Sequence, residues 1–337
     1  MHRYLSALLV LSAAFAQSNY HQLRKISIGG EGGWDYLIAD AANARVFVSH
    51  GAEVAVVDAK TGQVAGKITG LHGVHGIALA PEFNRGFISN GQSNTVTIFD
   101  LKTLEKIGED VPAGKNPDAI LYDPASKRVF AFNGRSSDAT AINAKDGKVA
   151  GTVALEGKPE FAAADGHGHV FVNIEDKSQV FDIDAKKLSV EHRWPLAPCQ
   201  EPSGMAMDTR SRRIFSGCHN NMVAVMNADT GRVVATPAIG SGVDATAFDP
   251  ETKFVFNSCG DGTLSIAHQD SPDKYTVVEQ VKTIQRARTM ALDSKTHNVY
   301  LAIADFEPAP APAAGDKAQQ QRPRVVPGTF GLLEYGR

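Results

Sequence analysis

A ring of seven four-stranded β-blades, an all-β propeller, is the fold this sequence predicts, and three observations predict it. A pattern of about 42 residues recurs along the chain. Within each copy, short stretches alternate apolar and polar residues, as in ILYD, RVFAF and TVTIF, with the period of two that strands require. No segment carries a sustained helical stripe.

The copies can be read directly. One runs VHGIALAPEFNRGFISNGQSNTVTIFDLKTLEKIGEDVPAGKN, the next PDAILYDPASKRVFAFNGRSSDATAINAKDGKVAGTVALEGK, and a later one VDATAFDPETKFVFNSCGDGTLSIAHQDSPDKYTVVEQVKTI. Each holds a first strand, an Asp-Pro-like turn, an RVF-like second strand, an Asn/Gly loop, a third strand ending near Asp, a Lys/Thr/Gly turn and a fourth strand. Four short strands in a unit of this length make one propeller blade. The residue opening each first strand is Asp35, His75, Asp118, Glu160, Ser203, Asp244 and Arg288, at separations of 40, 43, 42, 43, 41 and 44 residues. Seven blades follow.

The chain ends predict how the ring closes. The seventh unit has RTMALD and NVYLAIAD, then the Pro/Ala/Gln-rich segment 306–327, then GTFGLLEYG as a third strand. The missing fourth strand is supplied by 20–28, YHQLRKISI, so that the first strand of the chain pairs in the last blade and no sheet edge is left open. Segment 306–327 is expected to be a solvated, flexible insertion within blade seven.

Residues 1–16, MHRYLSALLVLSAAFA, have a basic start, a short apolar run and a small-residue end, the pattern of a cleaved signal peptide, which predicts a periplasmic or secreted single domain over 17–337. No other stretch approaches the ~20 apolar residues of a membrane helix, so membrane insertion is not expected. Removing Arg3 with the signal takes the net charge from −3 to −4, which disfavours nucleic acid as a partner. The chain is expected to be a monomer. Its three cysteines are too few for a disulfide framework; Cys199 and Cys218 fall in one blade on one face and are a candidate disulfide, which leaves Cys259 as a small buried apolar residue or a free thiol at the mouth.

The stretches RVFVSHGAEVAVVDAKTGQVAGKITG, RGFISNGQSNTVTIFDLKTLEKI and RRIFSGCHNNMVAVMNADTGRVVATPAIG, with KNPDAILYDP leading into a blade, resemble the YVTN-type family of exported bacterial seven-bladed propellers over 20–337. The resemblance implies the fold and says little about function, because those motifs are structural.

Blade geometry then selects a face. The first strand lines the central channel, and its start lies on the same side as the loop joining strands two and three. The first column, Asp35, His75, Asp118, Glu160, Ser203, Asp244 and Arg288, is expected to meet a second at the end of strand two, which holds His50, Asn90, Asn133, Glu175, His219, Cys218 and Cys259. One reading of the first column is structural, with Asp and Ser accepting backbone hydrogen bonds between blades. The other is a ligand site, since converging carboxylates repel unless a cation or protons neutralise them. Asp35, Asp118, Glu160 and Asp244 with Asn90 and Asn133 suit calcium, and adding His50, His75 and His219 suits zinc.

The donor set is similar, by analogy only, to that of calcium-centred lactonase and phosphotriesterase propellers, which have six blades and other motifs. The analogy implies a small-molecule ligand or substrate at the mouth and hydrolysis of an ester, lactone or phosphotriester, with His75 or His219 as base and Arg288 stabilising negative charge. The rival expectation is a non-catalytic binding or scaffold propeller that presents this face to a protein, glycan or nucleic-acid partner. Trp34, beside Asp35, would stack on a ligand or plug the funnel. His21, His167, His169, His192, His268 and His297 are expected on the surface. No phosphate-loop spacing and no Gly-x-Ser-x-Gly elbow is present, and Ser203 is not in a nucleophile's context.

Overall fold

Seven antiparallel sheets of four strands each form the molecule, and the first six contain four strands consecutive in sequence. The computed structural model describes residues 18–307 and 324–337. The expected signal peptide at 1–16, and all but the ends of the insertion at 306–327, lie outside the described residues. The first strands are Trp34–Asp40, Val74–Ala80, Pro117–Asp123, Pro159–Ala164, Pro202–Asp208, Val243–Asp249 and Met290–Asp293. Each of them packs against the first strands of both neighbouring blades, so together they line the channel. His21–Ser27 pairs antiparallel with Gly331–Gly336 as the outer strand of blade seven, closing the ring. Among the described residues no helix is long and apolar enough to cross a membrane.

The period-two pattern has a different meaning here from that in a half-exposed sheet. Strands two and three are buried along nearly their whole length, as in Arg45–His50 and Glu53–Asp58. Alternation sorts their side chains between two neighbouring blades: Val46 and Val48 join the apolar core shared with blade seven, and Phe47 joins the one shared with blade two. Seven such cores, one per blade junction, hold the ring. Core packing is thus spread around the circumference.

One local feature positions the site. In blades one to six the register between strands one and two slips at the residues that open the first strand, between Trp34 and Leu37, Val74 and Ile77, Pro117 and Ile120, Pro159 and Ala162, Pro202 and Met205, and Val243 and Thr246. Such bulges re-aim side chains and free backbone groups from the ladder. Here Ser49, Ser89 and Ser258 satisfy the freed amides of Asp35, Gly76 and Ala245. The same slip packs blades tightly: a Cβ on Gly204 would lie 2.4 Å from the backbone nitrogen of Thr246 in blade six, so only glycine fits there.

Candidate functional site

The bulges deliver the first column to the channel mouth. His75 Nδ1 lies 2.5 Å from Asp35 Oδ2 and 3.7 Å from Asp118 Oδ1, and the ligand atoms of these three residues all fall within 4.8 Å of one another. They come from blades one, two and three. His75 fits because residue 91 is glycine: a Cβ there would stand 2.5 Å from His75 Nε2. Bonds of about 2.1–2.4 Å to a shared cation keep its donor atoms within roughly 4.8 Å of each other, so this donor set fits a divalent ion once the His75–Asp35 contact opens by several tenths of an ångström.

The electrostatics agree with a shortage of positive charge. Burial pushes the Asp118 carboxyl up to about 6, with the Asp35 charge adding to it and His75 and the more distant Lys158 opposing. For His75, burial of the ring lowers the pKa, but the Asp35 hydrogen bond and the Asp118 charge outweigh it and the net direction is up. Among the described residues, no lysine or arginine forms an ion pair with Asp35 or Asp118.

The other side of the mouth is built differently. Glu160 is 2.7 Å from Lys158 Nζ, which also bonds Glu175. Burial pushes Glu160 up to about 7 against the pull of Lys158. Burial likewise raises Asp244 to about 6, while Arg288 and His219 lie close enough to favour its charged form. His219 Nδ1 is 3.3 Å from Glu201. Ser203 donates its hydroxyl to the Asp244 carbonyl at 3.1 Å and so joins blades five and six, the structural role.

The second column does not join this group as a set, for a reason of register. His50, Asn90 and Asn133 pair directly with Trp34, Val74 and Pro117, the residues one position before the first column. Side chains one position apart on a strand point to opposite faces. Asn90 therefore turns into its own blade, donating to Thr97 at 2.9 Å, and Asn133 does the same with Thr140 at 3.0 Å and Asp138 at 2.6 Å. His50 is 1% exposed and stacked on Phe330 at 4.0 Å, and burial lowers its pKa. Glu175 and His219, one residue further along, do reach the mouth. Cys199 and Cys218 form a disulfide, and Cys259 is a buried free thiol.

Trp34 does not enter the channel. It packs on Phe330 and Phe306 at 5.4 and 5.9 Å, in the junction of blades seven and one. Tyr36 of blade one reaches across the channel to Phe161 of blade four, and their rings meet at 4.5 Å. Burial drives the Tyr36 phenol well above its ordinary pKa, and the charges of Asp118, Glu160, Asp35 and Asp244 add to it. The sequence carries the signal one position after the first column, where Tyr36 and Phe161 stand among Gly76, Ala119, Gly204, Ala245 and Thr289. A recess of about 400 Å³ beside His50, lined by Gly30, Glu53 and Lys67, lies away from the carboxylate cluster.

Comparison with known proteins supports the fold. The chain superposes on a chain of hydrazine synthase from Kuenenia stuttgartiensis with a TM-score of 0.70 over 80% of this chain and 92% of that one, at 16% identity. A 65-residue stretch is 38% identical to Antigen Lp49 of Leptospira interrogans, covering 19% of this chain and 14% of that protein. No protein-family model matches the chain. The fold is a seven-bladed propeller.

Proposed function

We propose that this chain is an exported, monomeric propeller of YVTN type that binds a divalent cation through Asp35, His75 and Asp118. One observation carries the reading: two carboxylates and an imidazole from three blades converge within 4.8 Å, and no lysine or arginine among the described residues pairs with either carboxylate. A mixed nitrogen and oxygen set favours zinc over calcium.

A cation held there supplies Lewis acidity towards an ester, lactone or phosphotriester oxygen. His75 cannot serve as a ligand and a free base through one nitrogen, so the base role falls to His219, oriented by Glu201. Arg288, exposed at the blade-seven side, meets the negative charge that develops. The rings of Tyr36 and Phe161 meet across the channel, one residue inward of the first column. That aromatic contact favours a second reading, in which the mouth binds a ligand or partner without turning it over.

Titration calorimetry with Zn²⁺ and Ca²⁺ after chelator treatment, together with ester, lactone and phosphotriester hydrolysis assays, tests both. The proposal expects a zinc equivalent that depends on Asp118 and Asp35, binding at least ~10-fold more weakly in Asp118→Asn, and hydrolysis that chelator abolishes. Undiminished zinc binding in Asp118→Asn and in Asp35→Asn overturns the cation site. Cation binding without turnover leaves the second reading.

A further inference from the structure

A second group of ligating side chains lies far from the mouth, on the outer part of blade four. Asp182 sits in that blade's third strand with its side chain only 4% exposed. Its Oδ1 is 2.9 Å from Nδ1 of His169, on the second strand, and its Oδ2 is 3.1 Å from Nδ1 of His192, its direct cross-strand partner on the fourth. Glu191 completes the cluster: ligand atoms of His169, Asp182 and Glu191 all lie within 4.8 Å of one another. Two of the six histidines expected on the surface, His169 and His192, are thus organised around one buried carboxylate.

The surroundings hold this arrangement in place. Trp194 stacks on His192 at 4.9 Å, and Phe171 lies parallel to His169 at 6.4 Å, which gives the cluster an apolar wall. Asp165 accepts the backbone N–H of His169 at 3.1 Å and is itself bound at 3.1 Å by Arg212 of blade five. The bond competing for Glu191 comes from Lys187, whose side chain is 68% exposed, so it is easily exchanged for another partner.

We infer that His169, Asp182 and Glu191 form a second divalent-cation site, of the zinc type, with His192 positioning the Asp182 carboxylate. The charges close: two carboxylates match one divalent ion, with both imidazoles neutral. Imidazole ligation selects a first-row transition ion over calcium or magnesium, which take oxygen donors. A ligating carboxylate held by a hydrogen bond from a neighbouring side chain is the usual outer support of such sites. This site shares no residue with the mouth and does not depend on a cation binding there.

The test uses the full chain, stripped of metal and titrated with ZnCl₂ by calorimetry and with CoCl₂ by visible absorption. In the Asp118→Asn background, which disables the mouth, one equivalent should remain and show the visible band of nitrogen- and oxygen-ligated cobalt. Adding His169→Gln or Glu191→Gln should remove it or weaken it by ~100-fold, and His192→Gln by ~10- to 100-fold, the range found when outer-shell partners are removed. Glu191 is exposed, so its variant keeps the fold, and thermal melting of each protein confirms it. Zinc uptake unchanged by both His169→Gln and Glu191→Gln, or no uptake in Asp118→Asn alone, overturns the inference. Failure of the mouth site instead leaves Asp118→Asn identical to wild type, with the remaining equivalent still sensitive to His169→Gln.

Discussion

Blades one to three and blades four to seven bring carboxylates to the same channel mouth, but only the second group brings cations to balance them. On the second side Lys158 bonds Glu160 and Glu175, and Arg288 and His219 stand near Asp244. On the first, Asp35 and Asp118 share one imidazole. The difference has three sources: Lys158 stands two residues before the first column, where blades one to three carry Gly33, Gly73 and Asn116; Arg288 stands in the column itself; and His219 follows strand two. Seven copies of one strand therefore yield an asymmetric ring. The half that lacks its own cations is where an external one adds the most.

The aromatic plug joins the two halves, and breaking it should give the largest effect. Tyr36 reaches from blade one to the ring of Phe161 in blade four and packs on the core of blades three and four. Tyr36→Ala is expected to cost about 2–4 kcal/mol, from lost burial and the cavity left behind. Tyr36→Phe keeps the ring, removes only the hydroxyl, and should cost far less. Denaturant unfolding of the pair reads the comparison; equal losses would mean that the hydroxyl, not the stacked ring, couples the halves.

Charge shortage on the first side should appear in the pH dependence of stability. A carboxyl whose pKa is raised in the folded state binds its proton more tightly there than in the unfolded chain. Its contribution is fully present below about pH 4 and is lost as pH rises through the folded value, about 6 for Asp118. Asp118→Asn, which cannot ionise, should therefore be the more stable protein by about 1–3 kcal/mol at pH 7.5 without metal, with the advantage nearly gone by about pH 3.5. Melting curves across that range decide. Saturating zinc should reverse the order at pH 7.5, since only wild type retains the complete donor set.

The fold was legible because blade repeats impose a period on the chain, and the turn and strand signals recur in each one. The first column was legible for the same reason: a bulge at one fixed position delivers whatever residue stands there. The second column failed on an offset of one residue. Asn90 and Glu175 look equivalent in a loose alignment, yet a strand sends neighbouring side chains to opposite faces, so Asn90 bonds Thr97 inside its blade while Glu175 reaches Lys158. Trp34 and Tyr36 differ in the same way. Both are aromatic and flank Asp35, but Trp34 falls into the junction with blade seven. The cluster around Asp182 had no sequence signal, because His169, Asp182 and His192 meet only through cross-strand pairing.

The smallest effect should come from converting the second half into a copy of the first. Lys158→Met removes the cation from Glu160 and Glu175 while keeping a long apolar stem. The pair is partly solvated, with the Lys158 side chain 47% exposed, so the loss should be about 1 kcal/mol rather than the several of a buried pair. The sharper readout is cation dependence. Glu160 and Glu175 would then face the channel as Asp35 and Asp118 do, and calcium, which accepts an all-oxygen set, should raise the melting temperature of Lys158→Met more than that of wild type. If calcium stabilises both proteins equally, Lys158 is not what separates the two halves, and the asymmetry must rest on Arg288 and His219 instead.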